Sequence, residues 1–219
     1  MALDVFLSVG TARNDEQEKF ILAVEDYLRV NGFFPRTVGR SDFSYEAPLK
    51  CVEQVMKQCS GTVIIAFERL HLVTALEKRG GSKEKSIQGE NLPTVWNQIE
   101  ATMGYVLGHP LLVIVENGLR SEGLLEARYD WWVQKVDLNE NALNSREFTG
   151  VFSNWKKRVE ENSLNKNKQK QNIDFDQITV VQLVNSLKPN QLWATVGALA
   201  AILSAVAVAA YHLGAMFKK

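Results

Sequence analysis

Two short, uninterrupted apolar runs place the strongest constraint on the fold of this chain. They are TVIIAF at Thr62–Phe67 and LLVIV at Leu111–Val115. A strand with one wet face alternates apolar and polar residues, whereas continuous apolar runs are typical of parallel strands that are buried on both faces. We therefore expect a sheet that is covered by helices on its two sides.

Strand and helix patterns alternate along the first 160 residues. Asp4–Val9 predicts the first strand, and Phe33–Val38 predicts a second, which Pro35 places at an edge or a strand end. The other predicted elements are helices at 14–31, 47–58, 94–107 and 147–160 and a short strand at 132–136. This order predicts an α/β domain over residues 1–160 with a flavodoxin-like, doubly wound parallel sheet.

In such a sheet, ligands bind at the carboxyl ends of the strands, near the point where the strand order reverses. The predicted functional rim consists of Ser8–Arg13, Gly39–Tyr45, Glu68–Leu72 and Glu116–Arg120. The polar segment Glu77–Asn91 is predicted to be a loop, either a mobile flap over this rim or a solvated insertion.

The end of the chain follows a different pattern. Residues 161–172 predict a basic polar linker, 173–189 an amphipathic helix, and 190–219 a transmembrane tail anchor. No Asp, Glu, Lys or Arg occurs from Leu192 to Phe217. As a helix this stretch spans roughly 39 Å, more than the ~30 Å hydrocarbon core of a bilayer. The alternative is a buried core helix.

The start of the chain lacks the basic and apolar regions of a signal peptide. Together with the charge-free stretch, it predicts a single-pass protein of the cell inner membrane with its soluble domain in the cytoplasm. Small residues recur at Gly197, Ala201, Ala205 and Ala209. This stripe either allows close helix approach in a homo-oligomer or simply reflects the alanine content of the span.

Composition argues against two other classes of protein. Lys and Arg number 25, as do Asp and Glu, and the resulting net charge of +0 argues against a nucleic-acid-binding protein. The three histidines, His71, His109 and His212, are scattered and belong to no Cys/His cluster, so no metal site is expected.

The segment at Pro93–Gly118 contains the strongest candidate for chemistry. Trp96 and Glu100 lie one helical turn apart on the same face of a predicted helix that leads into the strand LLVIV. A carboxylate at a strand-end crevice suits glycosidic-bond chemistry, because it stabilises or attacks an oxocarbenium-like sugar. Spacing alone leaves open the alternative that Trp96 is a core residue and Glu100 an ordinary surface residue.

These segments resemble TIR domains, in the fold group that also holds the nucleoside 2-deoxyribosyltransferases. DVFLS at Asp4–Ser8 resembles the opening TIR strand, and Trp96-Asn-Gln-Ile-Glu100 resembles the Trp-x-x-x-Glu segment with the catalytic glutamate of NAD-cleaving TIR domains. Glu100 followed by Gly104-Tyr105 and Gly108-His-Pro also resembles the deoxyribosyltransferase segment around its nucleophilic glutamate.

The resemblance implies an N-glycosidase-type reaction at a nucleotide ribose, with NAD or a related nucleotide as the substrate or ligand and no separate cofactor. Glu100 would be the catalytic residue. The implied ligand-binding residues are Ser8, Gly10 and Thr11 near the ribose and a phosphate, Arg13 or Arg40 at a pyrophosphate, Asp42 as a weaker candidate, and Trp96 as a stacking partner or a wall of the pocket. The alternative for Arg13, Arg40 and Asp42 is a solvated surface position.

Two hypotheses about function follow. In the first, the chain is a membrane-anchored, TIR-like NAD glycohydrolase or nucleotide N-ribosyl transferase with a role in bacterial defence or cell death. In the second, it is a non-catalytic, tail-anchored TIR-like receptor. Such a receptor would bind a nucleotide signal or another TIR domain and act by oligomerising or by disturbing the membrane.

Overall fold

The computed structural model describes residues 2–127 and 131–171, together with six separate positions at 193, 194, 197, 198, 201 and 204. Side chains are described as far as residue 168 and at those six positions. The chain divides into two compact units, Met1–Lys168 and Gln169–Lys219. In the second unit, the six separate positions are helical.

A five-stranded parallel sheet forms the centre of the first unit. The strands of this unit are β1 (Leu3–Val9), β2 (Phe33–Arg36), β3 (Thr62–Ala66), β4 (Leu70–Glu77), β5 (Lys85–Leu92), β6 (Leu111–Glu116) and β7 (Trp132–Val136). The central sheet has the order β2-β1-β3-β6-β7. This α/β arrangement is consistent with the flavodoxin-like fold predicted from the sequence, with β2 at an edge as Pro35 indicated.

Helices cover both faces of the sheet, as the continuous apolar strands predicted. They are α1 (Asp15–Val30), α2 (Pro48–Gln58), α3 (Val95–Val106) and α4 (Arg146–Gln171). Successive strand residues point to opposite faces. Val63 and Ile65 therefore pack in the cluster that contains residues of α1 and α4. Ile64 packs on the other face with Ala101 of α3.

The segment predicted as a loop at Glu77–Asn91 is instead largely part of an antiparallel hairpin. The hairpin consists of β4 and β5, and its register pairs Leu70 with Leu92 and Glu77 with Lys85. Sequence patterning missed it because most of its side chains are exposed and only Ile87 is buried. The ladder pairs the backbone polar groups that face each other across the two strands, and this pairing leaves no alternating apolar pattern in the sequence.

Helix α4 continues to Gln171, although the sequence predicts a linker from residue 161. Its polar second half hydrogen-bonds to the loop before β3. The Asn162 side chain donates to the Ser60 carbonyl at 2.8 Å, and Lys166 Nζ donates to the Cys59 carbonyl at 2.6 Å. Such tertiary bonds stabilise a helix whose own apolar content is low.

The predictions for the end of the chain fall outside most of what is described. The amphipathic helix predicted at 173–189 lies wholly outside the described residues, and the membrane span predicted at 192–217 lies outside them except for the six separate positions. Among the residues that the structure does describe, no helix has both the length and the apolar composition that a membrane crossing requires.

Candidate functional site

A cavity of about 700 Å³ lies at the carboxyl ends of the strands in the middle of the sheet. The chain passes from β1 to β2 on one side and later to β3 on the other, so the strand order reverses between β1 and β3. Ligands of open α/β sheets bind at such a point. The cavity is lined by Val9, Gly10, Thr11, Val38, Pro48, Val52, Arg69, Leu70, Pro93, Thr94, Val95, Trp96 and Glu100.

The packing of α3 directs Glu100 into this cavity. The buried face of the helix consists of Asn97, Ala101 and Gly104, which follow one another at helical spacing. At Gly104 an added Cβ would lie 2.8 Å from Thr62 Oγ1, so glycine lets the helix approach β3 closely. Glu100, three residues after Asn97, therefore lies on the same side of the helix.

Glu100 is half-buried, and its surroundings change its acidity. Burial raises the pKa of the Glu100 carboxyl to about 7, while a hydrogen bond with the Ser8 side chain acts in the opposite direction. Among the described residues, the only other charged side chain that lines the cavity belongs to Arg69. Near neutral pH, Glu100 is therefore present in both protonated and ionised forms.

Ser8 lies beneath the cavity rather than on its surface. It is fully buried near the end of β1, and its Oγ accepts a hydrogen bond from Asn97 Nδ2 at 3.2 Å. Asn97 Nδ2 also donates to the Ile65 carbonyl of β3 at 3.2 Å. Sequence reasoning missed Asn97, although a polar residue at a buried helix position within the Trp96–Glu100 segment is a signal that could have identified it.

Gly10 and Thr11, which belong to the predicted rim, line the cavity, and so does Trp96, which the resemblance implied as a wall of the pocket. Trp96 is 42% exposed, so it forms a wall of the cavity and is not the core residue of the alternative reading. A Cβ added at Gly10 would lie 3.3 Å from the Thr94 Cγ2 atom, so the small residue keeps this part of the cavity open.

The structure does not bring Arg13 or Arg40 to the cavity, because both arginines are held in ion pairs. Arg13 lies 2.6 Å from Glu68, just after β3. Arg40 pairs with Glu18 at 2.8 Å and with Glu25 at 3.2 Å, both on α1. Both guanidinium groups thus contact carboxylates and neither lines the cavity, and their contact with a pyrophosphate remains a prediction from the sequence.

Asp42 also lies outside the cavity lining. Its carboxylate accepts hydrogen bonds from Arg36, with Nε at 2.9 Å from both oxygen atoms, and the Arg36 guanidinium also contacts Asp4 at 3.0 Å. The hydrogen bond with Arg36 lowers the pKa of Asp42 despite its partial burial. Asp42 thus ties the loop after β2 to the edge of the sheet, a role that its position on the predicted rim did not reveal.

Arg69 is the second functional candidate that the sequence reasoning did not single out. It falls within the predicted rim segment Glu68–Leu72 and lines the cavity. Its backbone N–H donates to the Leu92 carbonyl at 2.8 Å, which fixes the start of the hairpin. Among the described residues, Arg69 forms no ion pair, unlike Arg13, Arg36 and Arg40. Its charge is therefore available to a ligand.

A second cavity, of about 720 Å³, lies at the amino ends of β6 and β7 and is lined in part by His109. Both ring nitrogens of this histidine are engaged, Nδ1 with Thr62 Oγ1 at 2.8 Å and Nε2 with Lys166 Nζ at 3.1 Å. Burial, reinforced by the Lys166 charge, lowers the pKa of His109 to about 4. A neutral and fully bonded imidazole is suited to holding structure, so the Glu100 cavity is the better candidate for catalysis.

The described residues contain no group of three or more His, Cys, Asp or Glu side chains that is placed to hold a metal ion. The chain matches no protein-family model, and no curated protein matches it. Among solved structures it is similar to the CMP N-glycosidase BcmB of Clostridium botulinum, with 14% identity and a TM-score of 0.39. The similarity covers 64% of this chain and 92% of that chain. At this level, the likeness assigns no activity to the chain.

Proposed function

We propose that the chain is an N-glycosidase-type enzyme that acts on a nucleotide, with Glu100 as its catalytic residue. The observation that carries this proposal is a half-buried carboxyl, with a pKa raised to about 7, that lines a nucleotide-sized cavity at the reversal of the strand order. Perturbed carboxyl groups in clefts are characteristic of active sites, because catalysis requires a pKa close to the working pH.

In the proposed reaction, the bond between the ribose anomeric carbon and the base nitrogen breaks, and the base leaves with the bonding electron pair. Ionised Glu100 stabilises the positive charge that develops on the ribose, as carboxylates do at oxocarbenium-like transition states. Water then adds to the anomeric carbon and loses a proton, which is transferred to the departing base of a nucleotide such as CMP, or released to solvent when neutral nicotinamide leaves NAD. The products are the free base and a ribose phosphate, or ADP-ribose in the case of NAD; another acceptor in place of water gives a transfer reaction.

Arg69 favours a nucleotide over an uncharged nucleoside. It lines the same cavity as Glu100 and forms no ion pair with the described residues. A guanidinium binds phosphate oxygens through paired, charge-assisted hydrogen bonds. NAD is the specific substrate that the sequence resemblance suggests. Membrane attachment through residues 192–217, self-association and a role in bacterial defence remain predictions from the sequence.

The decisive experiment compares the full chain with Glu100→Gln during incubation with NAD, CMP and the matching nucleosides. Base release is followed by chromatography. We expect release by the wild type and a loss of about 100-fold or more in the variant, because the amide cannot carry the stabilising charge. Glu126→Gln, which changes an exposed glutamate, is the matched control and should release base at the wild-type rate.

Two outcomes contradict the enzymatic proposal. One is base release that persists in Glu100→Gln. The other is nucleotide binding, measured by calorimetry, without any release by the wild type. The second result would favour the receptor hypothesis, in which the same cavity binds a nucleotide signal without cleaving it.

The role of Arg69 is tested with Arg69→Met, which keeps much of the side-chain volume but removes the charge. We expect KM for the nucleotide to rise about tenfold or more, because a charge-assisted hydrogen bond is lost. The KM of any nucleoside that reacts should not change. Arg79→Met, at the exposed turn of the hairpin, is the control; equal effects of the two substitutions would refute a specific phosphate contact.

A further inference from the structure

We infer that Gln17 and Glu116 are positioning residues that present Arg69 to the cavity. Neither is among the described residues that line the cavity; both hold the backbone that leads into Arg69. This inference rests on the proposed role of Arg69 at a phosphate. It assigns to a buried glutamine on α1 and a carboxylate at the end of β6 the task of fixing the guanidinium that binds the ligand.

The peptide group between Glu68 and Arg69 is bonded at both of its polar atoms. The Glu68 carbonyl accepts a hydrogen bond from Gln17 Nε2 at 3.1 Å, and the Arg69 N–H donates to the Leu92 carbonyl at 2.8 Å. A peptide group is planar, so two bonds to different elements fix its orientation. This plane leads directly into the Arg69 Cα atom and therefore sets the direction in which the side chain leaves the backbone.

The preceding peptide group is held as well. The Glu68 N–H donates to Glu116 Oε2 at 2.6 Å, and the Glu68 carboxylate lies 2.6 Å from the Arg13 guanidinium. The N–H, the carbonyl and the carboxylate of Glu68 thus each have a side-chain partner. Rotation of the backbone at Glu68 would break at least one of these contacts, so the Arg69 side chain starts from a fixed point.

Burial holds the Gln17 amide in place. Gln17 is 1% exposed and lies on the buried face of α1 together with Phe20 and Ile21. An amide in such surroundings costs free energy unless its polar atoms are bonded. Its Oε1 accepts from the Arg13 N–H at 2.9 Å, which leaves Nε2 to face the Glu68 carbonyl. One core side chain thus fixes the backbone of the loop after β3.

This arrangement predicts an effect confined to the charged part of the ligand. An arginine side chain loses rotational freedom when it binds a phosphate, and a fixed backbone reduces what remains to be ordered. A nucleoside lacks the group that Arg69 binds. Loss of either positioning residue should therefore weaken the binding of a nucleotide and leave the binding of the matching nucleoside unchanged.

The first test measures the binding of CMP and cytidine by calorimetry in the full chain. Every protein carries Glu100→Gln, so that bound nucleotide is not consumed. We expect Gln17→Met to raise the Kd of CMP about fivefold and to leave that of cytidine unchanged. In a protein that also carries Arg69→Met, the same substitution should cause no further rise. An unchanged Kd, an equal rise for both ligands, or the same rise without Arg69 overturns the inference.

Gln134→Met is the matched control, because it makes the same chemical change at a buried glutamine of β7. The Gln134 side chain bonds to the side chains of Trp132 and Glu147. The substitution should destabilise the protein without changing the Kd of CMP. A rise equal to that of Gln17→Met would show a general loosening of the core and would contradict the positioning role.

Glu116 supplies a second pair of variants, which decide the matter if Gln17→Met does not fold. Glu116→Ala removes the acceptor of the Glu68 N–H, whereas Glu116→Gln keeps an acceptor oxygen. Loss of the negative charge alone would favour an anion, so a higher Kd points to lost positioning. We expect Glu116→Ala to raise the Kd of CMP about threefold and Glu116→Gln not to raise it. No rise in Glu116→Ala, or an equal rise in both, contradicts the inference.

Amide hydrogen exchange, followed by NMR without any ligand, tests the backbone itself. Either Gln17→Met or Glu116→Ala should speed exchange of the Arg69 N–H about tenfold relative to the amides of Ile64 and Ile65 in β3. Equal acceleration at all three amides, or none, overturns the inference. If exchange follows this expectation but the parent protein binds no CMP, the proposed nucleotide site is refuted while the positioning of Arg69 stands.

Discussion

The two edges of the parallel sheet each bury a titratable side chain, but they bury it differently. At the amino edge, His109 has a partner on both ring nitrogens, and its pKa falls to about 4. At the carboxyl edge, Glu100 borders an open cavity, and burial raises its pKa to about 7. Burial perturbs both groups, yet only the incompletely bonded group retains the capacity to act on a ligand.

The two groups also have opposite effects on stability. Folded Glu100 holds its proton from its ordinary pKa of 4.5 up to about 7, so its contribution to stability falls as pH rises through this range. In the folded protein His109 stays unprotonated from pH 6.5 down to about 4, while the unfolded chain binds the proton. Its contribution to stability therefore falls as pH decreases through that range. Between about pH 4.5 and 6.5 the two slopes oppose each other.

Removing the fully bonded group should have the largest effect on stability. His109→Ala leaves the buried Thr62 hydroxyl without its histidine partner and creates a cavity, which together cost about 3 kcal/mol at pH 7. Without the histidine, Glu100 alone makes stability depend on pH in this range. The free energy of unfolding should therefore decrease steadily from pH 4.5 to 7. Urea unfolding across this range measures both effects.

His71→Ala is the control for that substitution, because His71 is exposed on the hairpin. Its free energy of unfolding should stay within about 0.5 kcal/mol of the wild type. A similar loss in both variants would contradict a specific role of His109 in stability. A free energy of unfolding for His109→Ala that does not change with pH would contradict the opposite contributions of His109 and Glu100.

Replacing the incompletely bonded group should stabilise the protein. Glu100→Gln removes a carboxylate that is costly to bury, so the gain should be about zero below pH 4.5 and on the order of 3 kcal/mol above pH 7. The measurement is the difference in unfolding free energy between variant and wild type at pH 4.5 and pH 8. A gain that does not depend on pH would contradict the raised pKa of Glu100.

The smallest effect is expected for Lys166→Met. The Lys166 charge contributes to the lowered pKa of His109, so its removal should raise that pKa, although burial keeps it below 6.5. The loss of the bond to the Cys59 carbonyl should cost about 1 kcal/mol. NMR titration of the His109 ring checks the first effect. Lys168→Met is the control, and an equal pKa change there would exclude a direct effect of Lys166.

The apolar strands were predictable because a strand buried on both faces needs a continuous apolar run. Sequence therefore identified every end of β1, β3 and β6 to within one residue, and the helices between them followed from apolar spacing. The hairpin and the second half of α4 were not predictable in this way. Both are stabilised by backbone pairing or by single polar contacts, such as that of Asn162, which leave no apolar period in the sequence.

The site was predictable where position along the chain determines position in space. Gly10 and Trp96 follow from a strand end and a helix start, and Glu100 follows from Trp96 by one turn. Charged residues were less predictable, because a guanidinium that faces a ligand and one that faces a carboxylate look the same in sequence. Arg40 was paired and Arg69 was not, and only the fold distinguishes them.

The pairing of Leu70 with Leu92 closes the β4–β5 hairpin where it meets the Glu100 cavity. The wall of this cavity therefore meets the hairpin at a paired, fixed base. The exposed turn between Lys78 and Glu84 is a suitable insertion site. A reporter or a recognition module inserted there should leave the contacts of Glu100 unchanged.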